Sequence, residues 1–143
     1  MIELSEFPKH LETISQADWN ILFEINEQLK STPSFGQLIA SEEIEPNVST
    51  FAYWNQSPLT SEFVKFLYDR NLLPSFDWQD WKEGKKLMKD QNFNDADIVS
   101  LFKLLTAIIR ADRFIDGTII SAFQNRTIQL IVDAIKLKIN QRN

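Results

Sequence analysis

The chain of 143 residues contains no cysteine. Disulfides, thiolate zinc sites, iron–sulfur clusters and a cysteine nucleophile are thereby excluded together. His10 is the only histidine, so neither a histidine-based zinc site nor a Ser-His triad can be assembled within one chain. Beside Pro8 and Lys9 it reads as an ordinary surface residue. Glycine is nearly as scarce: Gly36, Gly84 and Gly117 stand far apart, and no Gly-rich loop that cradles phosphate can be built from them. Long apolar runs are missing too. The greasiest stretch, Ile98 to Ile109, is interrupted by Ser100 and Lys103 and is too short to span a bilayer. The start, Met1-Ile2-Glu3-Leu4-Ser5-Glu6, lacks the basic flank and apolar centre of a signal peptide. A cytoplasmic protein is expected, in which the acceptor-like Asn47-Val48-Ser49 and Asn125-Arg126-Thr127 carry no glycosylation meaning. Neither cofactor nor metal is expected.

Positive charge is also in short supply. A net charge of -5 and a pI near 4.9 argue against nucleic-acid binding driven by the overall field. The charge is uneven, however. Residues 1 to 71 hold 11 acids and 4 bases, a net of -7, whereas residues 72 to 143 hold 9 acids and 11 bases, a net of +2. A local basic face therefore stays open as an alternative, on Lys82, Lys85, Lys86 and Lys89 or on Lys136, Lys138 and Arg142.

What is abundant is apolar surface. With 43% hydrophobic and 12% aromatic residues, the chain can bury a single core, and no repeat, low-complexity tract or Gly/Ser linker marks a boundary. Residues 1–143 are expected to form one all-α domain, an irregular bundle of five or six helices. Ser15 followed by Asp18 reads as an N-cap with a first-turn acid, and Trp19, Leu22, Phe23, Ile25 and Leu29 share one face, which predicts a helix over 16–30. A short helix is expected ahead of it, from Pro8 to Ile14. Residues 31–57, broken by Pro33, Gly36 and Pro46, read as an irregular connection with one helical turn near Phe35 to Ala40. Val48 to Trp54 leans towards strand without a clear partner.

Ser57 with Pro58 at the first helical position opens a helix over 58–72, stopped by Pro74. Asp77 is expected to cap the next, over 78–90. Asn94, Asp95 and Asp97 suit the start of a helix over about 95–111, whose N–H groups and positive dipole end favour side-chain oxygens and negative charge. That helix is apolar on nearly every side and is expected at the centre of the fold. Short and longer helices should follow over Thr118–Phe123 and Thr127–Ile139.

Few constellations carry chemistry. Glu42, Glu43 and Glu45 read as a solvated acidic loop rather than a carboxylate metal site. Ser100-Leu101-Phe102-Lys103 matches the S-x-x-K spelling of penicillin-recognising enzymes, but without the companion motifs it is a coincidence. Two segments suggest more than packing. Trp78 and Trp81 lie one turn apart at a helix start and serve either as core anchors or as a stacking platform. Arg110, Asp112, Arg113 and Asp116 gather two guanidinium groups and two carboxylates just past the central helix. Planar guanidinium forks suit carboxylate or phosphate. The plainer reading is an ion-pair network that ties the helix end to its neighbours, with Phe114 packed in the core.

Taken together, Phe51-Ala52-Tyr53, Phe63 with Leu67-Tyr68, Phe76-Asp77-Trp78 with Trp81, and the string Leu104-Leu105-Thr106, Arg110, Asp112-Arg113-Phe114 and Gly117 resemble a family of uncharacterised bacterial proteins, domain of unknown function 6508. The resemblance covers about Phe51 to Val132, and the first 50 residues add nothing to it. The resemblance implies a bacterial or phage origin and no activity, so no functional residue is carried over. One departure lies at Gln124-Asn125-Arg126, where the family's turn would hold a glycine; Asn125 is expected to take the left-handed conformation instead.

The leading expectation is a non-enzymatic helical module that binds another protein or a second copy of itself through aromatic and arginine anchors. Nucleic-acid association through a basic face is the first alternative, though nucleic acid and membrane are both disfavoured as partners. The second is an enzyme on an anionic small molecule, with Arg110 and Arg113 holding the anion and Asp112 or Asp116 as base.

Overall fold

A computed structural model describes residues 1–142. The apolar run after Asp97 forms α5 (Ile98–Ala111), opened by the Asp97 carboxylate accepting the Ser100 N–H at 2.8 Å. Leu101, Phe102, Leu104, Leu105, Ile108 and Ile109 on this helix are all buried, so it lies at the centre of the core as its composition requires. Around it pack α4 (Lys82–Asp90), α6 (Thr118–Gln124) and α7 (Thr127–Gln141).

A second tier joins through α7. Ser15 Oγ accepts the Asp18 N–H and starts α2 (Gln16–Ser31), which packs on α7 and on α3 (Pro58–Asp69). Ser57 Oγ accepts the Thr60 N–H, with Pro58 in the first turn of α3. The short α1 (Phe7–Glu12) brings the Phe7 ring edge-on to Phe102 at 5.6 Å, and Trp19 reaches the same ring at 6.0 Å. The chain is thus mostly helical, with seven α-helices among the described residues, and no helix is long and apolar enough to cross a membrane.

It is not all-α. The stretch expected to be an irregular connection is a β arm. In it β1 (Gly36–Ile39) pairs antiparallel with β4 (Tyr53–Gln56), in register from Gly36 opposite Gln56 to Ile39 opposite Tyr53. Farther out, β2 (Glu43–Glu45) pairs with β3 (Val48–Ser49) across a register irregularity. The helical turn expected near Phe35 to Ala40 is therefore β1. The Val48 to Trp54 segment does find partners, because Pro46 and Asn47, at φ 69°, turn the chain back on itself.

Two further helix expectations need correction. The helix over 78–90 is broken: Trp78–Asp80 make a 3-10 turn, Asp77 caps nothing with its side chain, and α4 starts only at Lys82. Trp81 is the cause. Its indole lies directly on Gly84, where an added Cβ would come within 2.6 Å of the ring, and meets Phe76 edge-on at 5.5 Å. Packing of that ring takes precedence over continuing the helix. Before α7 the left-handed residue is Arg126, at φ 71°, rather than Asn125, at φ -89°. Asn125 caps instead, its side-chain oxygen accepting the Thr127 N–H at 3.0 Å. Arg126 donates to the Lys30 carbonyl at 2.9 Å.

A candidate binding groove beside the central helix

Most of α5 is sealed by its neighbours, but the face carrying Ala107, Ile108 and Ala111 is only partly covered. The two alanines sit about one turn apart and are too small to fill the space above them. One wall comes from the Trp78–Met88 segment, through Trp78, Trp81, Lys85 and Met88, and Thr118 closes the far end. The result is an apolar hollow of about 400 Å³. Met88, Ile108 and Thr118 also border a second hollow of about 460 Å³ that runs on past Trp54, Ile115, Asp116 and Ser121, so the two form one continuous groove.

The segment after α5 shapes this groove. Asp112 accepts the Ile119 N–H at 3.0 Å and so anchors the start of α6. Asp116 accepts the Trp54 N–H at 2.7 Å and so anchors the base of the β arm. Between them the turn pushes Phe114 and Ile115 outwards, 72% and 68% exposed. Phe114 stands 6.0 Å from the Trp78 ring at the mouth of the groove. The expectation that Phe114 packs into the core is therefore corrected.

The expected ion-pair network is absent as well. Among the described residues, the salt bridges are Lys30 with Glu27 and Asp133, Lys65 with Asp69, and Arg70 with Asp18; none involves Arg110 or Arg113. Both nearby carboxylates are turned to backbone N–H groups instead, Asp112 to that of Ile119 and Asp116 to that of Trp54. Arg113 is exposed, while half-buried Arg110 points its guanidinium at the Met1 sulfur and leaves a buried Nε without a partner.

Of the residues singled out from sequence, Trp78, Trp81 and Asp116 line the groove, Asp112 supports it from behind, and Arg110 and Arg113 lie outside it. Trp54, Met88, Ala107 and Thr118 went unnoticed. Only Ala107 and Ala111 left a trace, as two small residues on a helix of bulky ones. One lysine of α4, Lys85, lines the groove; Lys82, Lys86 and Lys89 are exposed on the same helix, and Lys103 lies over the faces of Trp81 and Phe76 at 4.2 and 4.8 Å.

The resolved electrostatic shifts fall elsewhere, where α2 meets α7. A hydrogen bond from Lys30 holds the Glu27 carboxyl below its usual range, and hydrogen bonds to Asp133 and then Glu27 raise the Lys30 ammonium. No three His, Asp or Glu side chains converge as a metal site among the described residues.

No curated protein and no solved structure matches the chain. A family model does, over residues 14–141. That match extends well before Phe51, so α2 and the β arm are part of the shared pattern along with the string that ends at Gly117. The chain belongs to the family of unknown function DUF6508.

Proposed function

We propose that this chain is a non-enzymatic module of the bacterial or phage cytoplasm that works by binding protein, taking an apolar segment flanked by acidic residues into the groove between α4 and α5. The observation that carries this reading is the partly covered apolar floor at Ala107 and Ala111, walled by Trp78 and Trp81, with Lys85 in its lining. Aromatic anchors in such a cleft supply most of the energy of an interface, and nearby charge supplies steering and choice of partner. Phe114 and Ile115 at the mouth add apolar surface for the partner to cover.

The enzyme alternative is weaker, because neither arginine nor Asp112 lines the hollows, so no anion holder stands beside Asp116 there. Nucleic-acid association would use the same lysine row with Trp78 and Trp81 as stacking surfaces, against an overall charge of -5.

Selection from a displayed library of random short peptides tests the reading. The expected outcome is enrichment of sequences with bulky apolar residues between Asp or Glu, which bind the parent protein and fail to bind a folded Ala107→Arg variant. No enrichment, or binding that Ala107→Arg leaves unchanged, would overturn it. Single-stranded DNA bound at micromolar affinity in physiological salt, and lost on changing Lys85, Lys86 and Lys89 to Glu, would give the nucleic-acid reading its place.

A further inference from the structure

We propose that the segment that fills this groove is the β arm of a second copy of the chain, exchanged reciprocally to form a closed dimer. The inference rests on the groove reading above and names its partner. Residues 40 to 53, the outer arm, are all exposed, so the arm stands largely in solvent. Its apolar side chains are large: Ile44 is 66% and Phe51 91% exposed, with Leu38, Val48 and Tyr53 also open. A monomer gains nothing by holding such a greasy strand pair in water, and an unpaired strand edge is itself a template for association.

Charge supplies the complement. Residues 36–56 contain Glu42, Glu43 and Glu45 and no Lys or Arg, while α4, the helix that walls the groove, exposes Lys82, Lys85, Lys86 and Lys89, with Lys85 in the groove lining and none of the four in a salt bridge among the described residues. The arm therefore has the composition that the groove selects, bulky apolar residues between acids. At about 3.3 Å per residue, the strands from Ile39 to Glu45 project roughly 20 Å, enough to enter a neighbouring molecule.

The geometry also favours closure. Trp54 at the base of the arm lines the groove's continuation, and its backbone N–H is held by Asp116, which lines the same hollow. Arm and groove thus emerge side by side, so one two-fold axis can place each arm in the other molecule's groove.

Sedimentation equilibrium of the full chain over roughly 5 to 500 µM tests the proposal. The expected result is a mass that rises with concentration towards twice 16.7 kDa and falls back at high salt. Phe51→Asp and Ala107→Arg should each weaken self-association at least about tenfold, Phe51 because it is an exposed anchor whose loss disturbs no fold. Mixed together, these two variants retain one intact groove and one intact arm and should form a 1:1 complex. That rescue separates docking from misfolding. A parent that stays monomeric over the whole range, or variants that dimerise as the parent does, would overturn the proposal. Peptide selection that still succeeds in that case would leave the groove with a different protein partner; failure of both would remove the groove reading as well.

Discussion

Replacing Gly117 with alanine perturbs the point where α5, α6 and the β arm meet. Gly117 has φ 90°, a conformation that L residues rarely adopt, and an added Cβ would fall 2.6 Å from the Trp54 indole nitrogen. The left-handed backbone costs an alanine roughly 1 to 2 kcal/mol. The indole must also move, and the shift strains the backbone N–H of the same residue in its bond to Asp116. A hydrogen bond to a charged acceptor contributes roughly 1.5 to 3 kcal/mol. If that bond is strained rather than lost, the substitution should destabilise by about 2 to 4 kcal/mol, which for a chain of this length corresponds to a melting temperature roughly 6 to 12 °C lower. Thermal melts followed by far-UV circular dichroism measure it. Gly117→Ala combined with Trp54→Ala should lose less than the sum of the single changes, because the obstructing ring is gone. A Gly117→Ala protein melting within about 2 °C of the parent would refute the account of this junction.

Leu105 is fully buried on α5, so Leu105→Ala should cost about 2 to 5 kcal/mol in chemical denaturation; an unmoved midpoint would remove α5 from the centre of the core. Arg113→Ala should change stability by less than about 0.5 kcal/mol, since the side chain is exposed and unpaired among the described residues, and a larger loss would restore the ion-pair reading of this segment. Lys30→Met should lower stability at neutral pH. Because the Lys30 ammonium is raised, its contribution is complete below about pH 10.4 and is lost as pH rises through the higher folded value; because Glu27 is lowered, its contribution is complete above about pH 4.3 and is lost as pH falls. The gap between Lys30→Met and parent in denaturant should therefore narrow at both extremes. A gap unchanged at pH 3 would refute the coupling.

What the sequence by itself determined is local. Ser15, Ser57 with Pro58, and Asp97 announce helix starts because a capping oxygen and the N–H it serves lie three residues apart. The interior position of α5 follows from apolar residues on most of its sides, and the string ending at Gly117 was enough to recognise the family. What only the tertiary structure decided depends on residues far apart in the chain. The β arm needs Gly36 to meet Gln56, and the cue at Pro46-Asn47 marks a turn without saying which strands flank it. Trp81 breaks its helix by settling on Gly84, a local contact whose worth is set by the packing of Phe76 and Lys103 around it. Phe114 looks like a core residue to any composition rule. It is exposed because Asp112 and Asp116, on either side of it, are drawn to N–H groups of α6 and of the arm, and a carboxylate that finds a backbone donor fixes the turn whatever lies between.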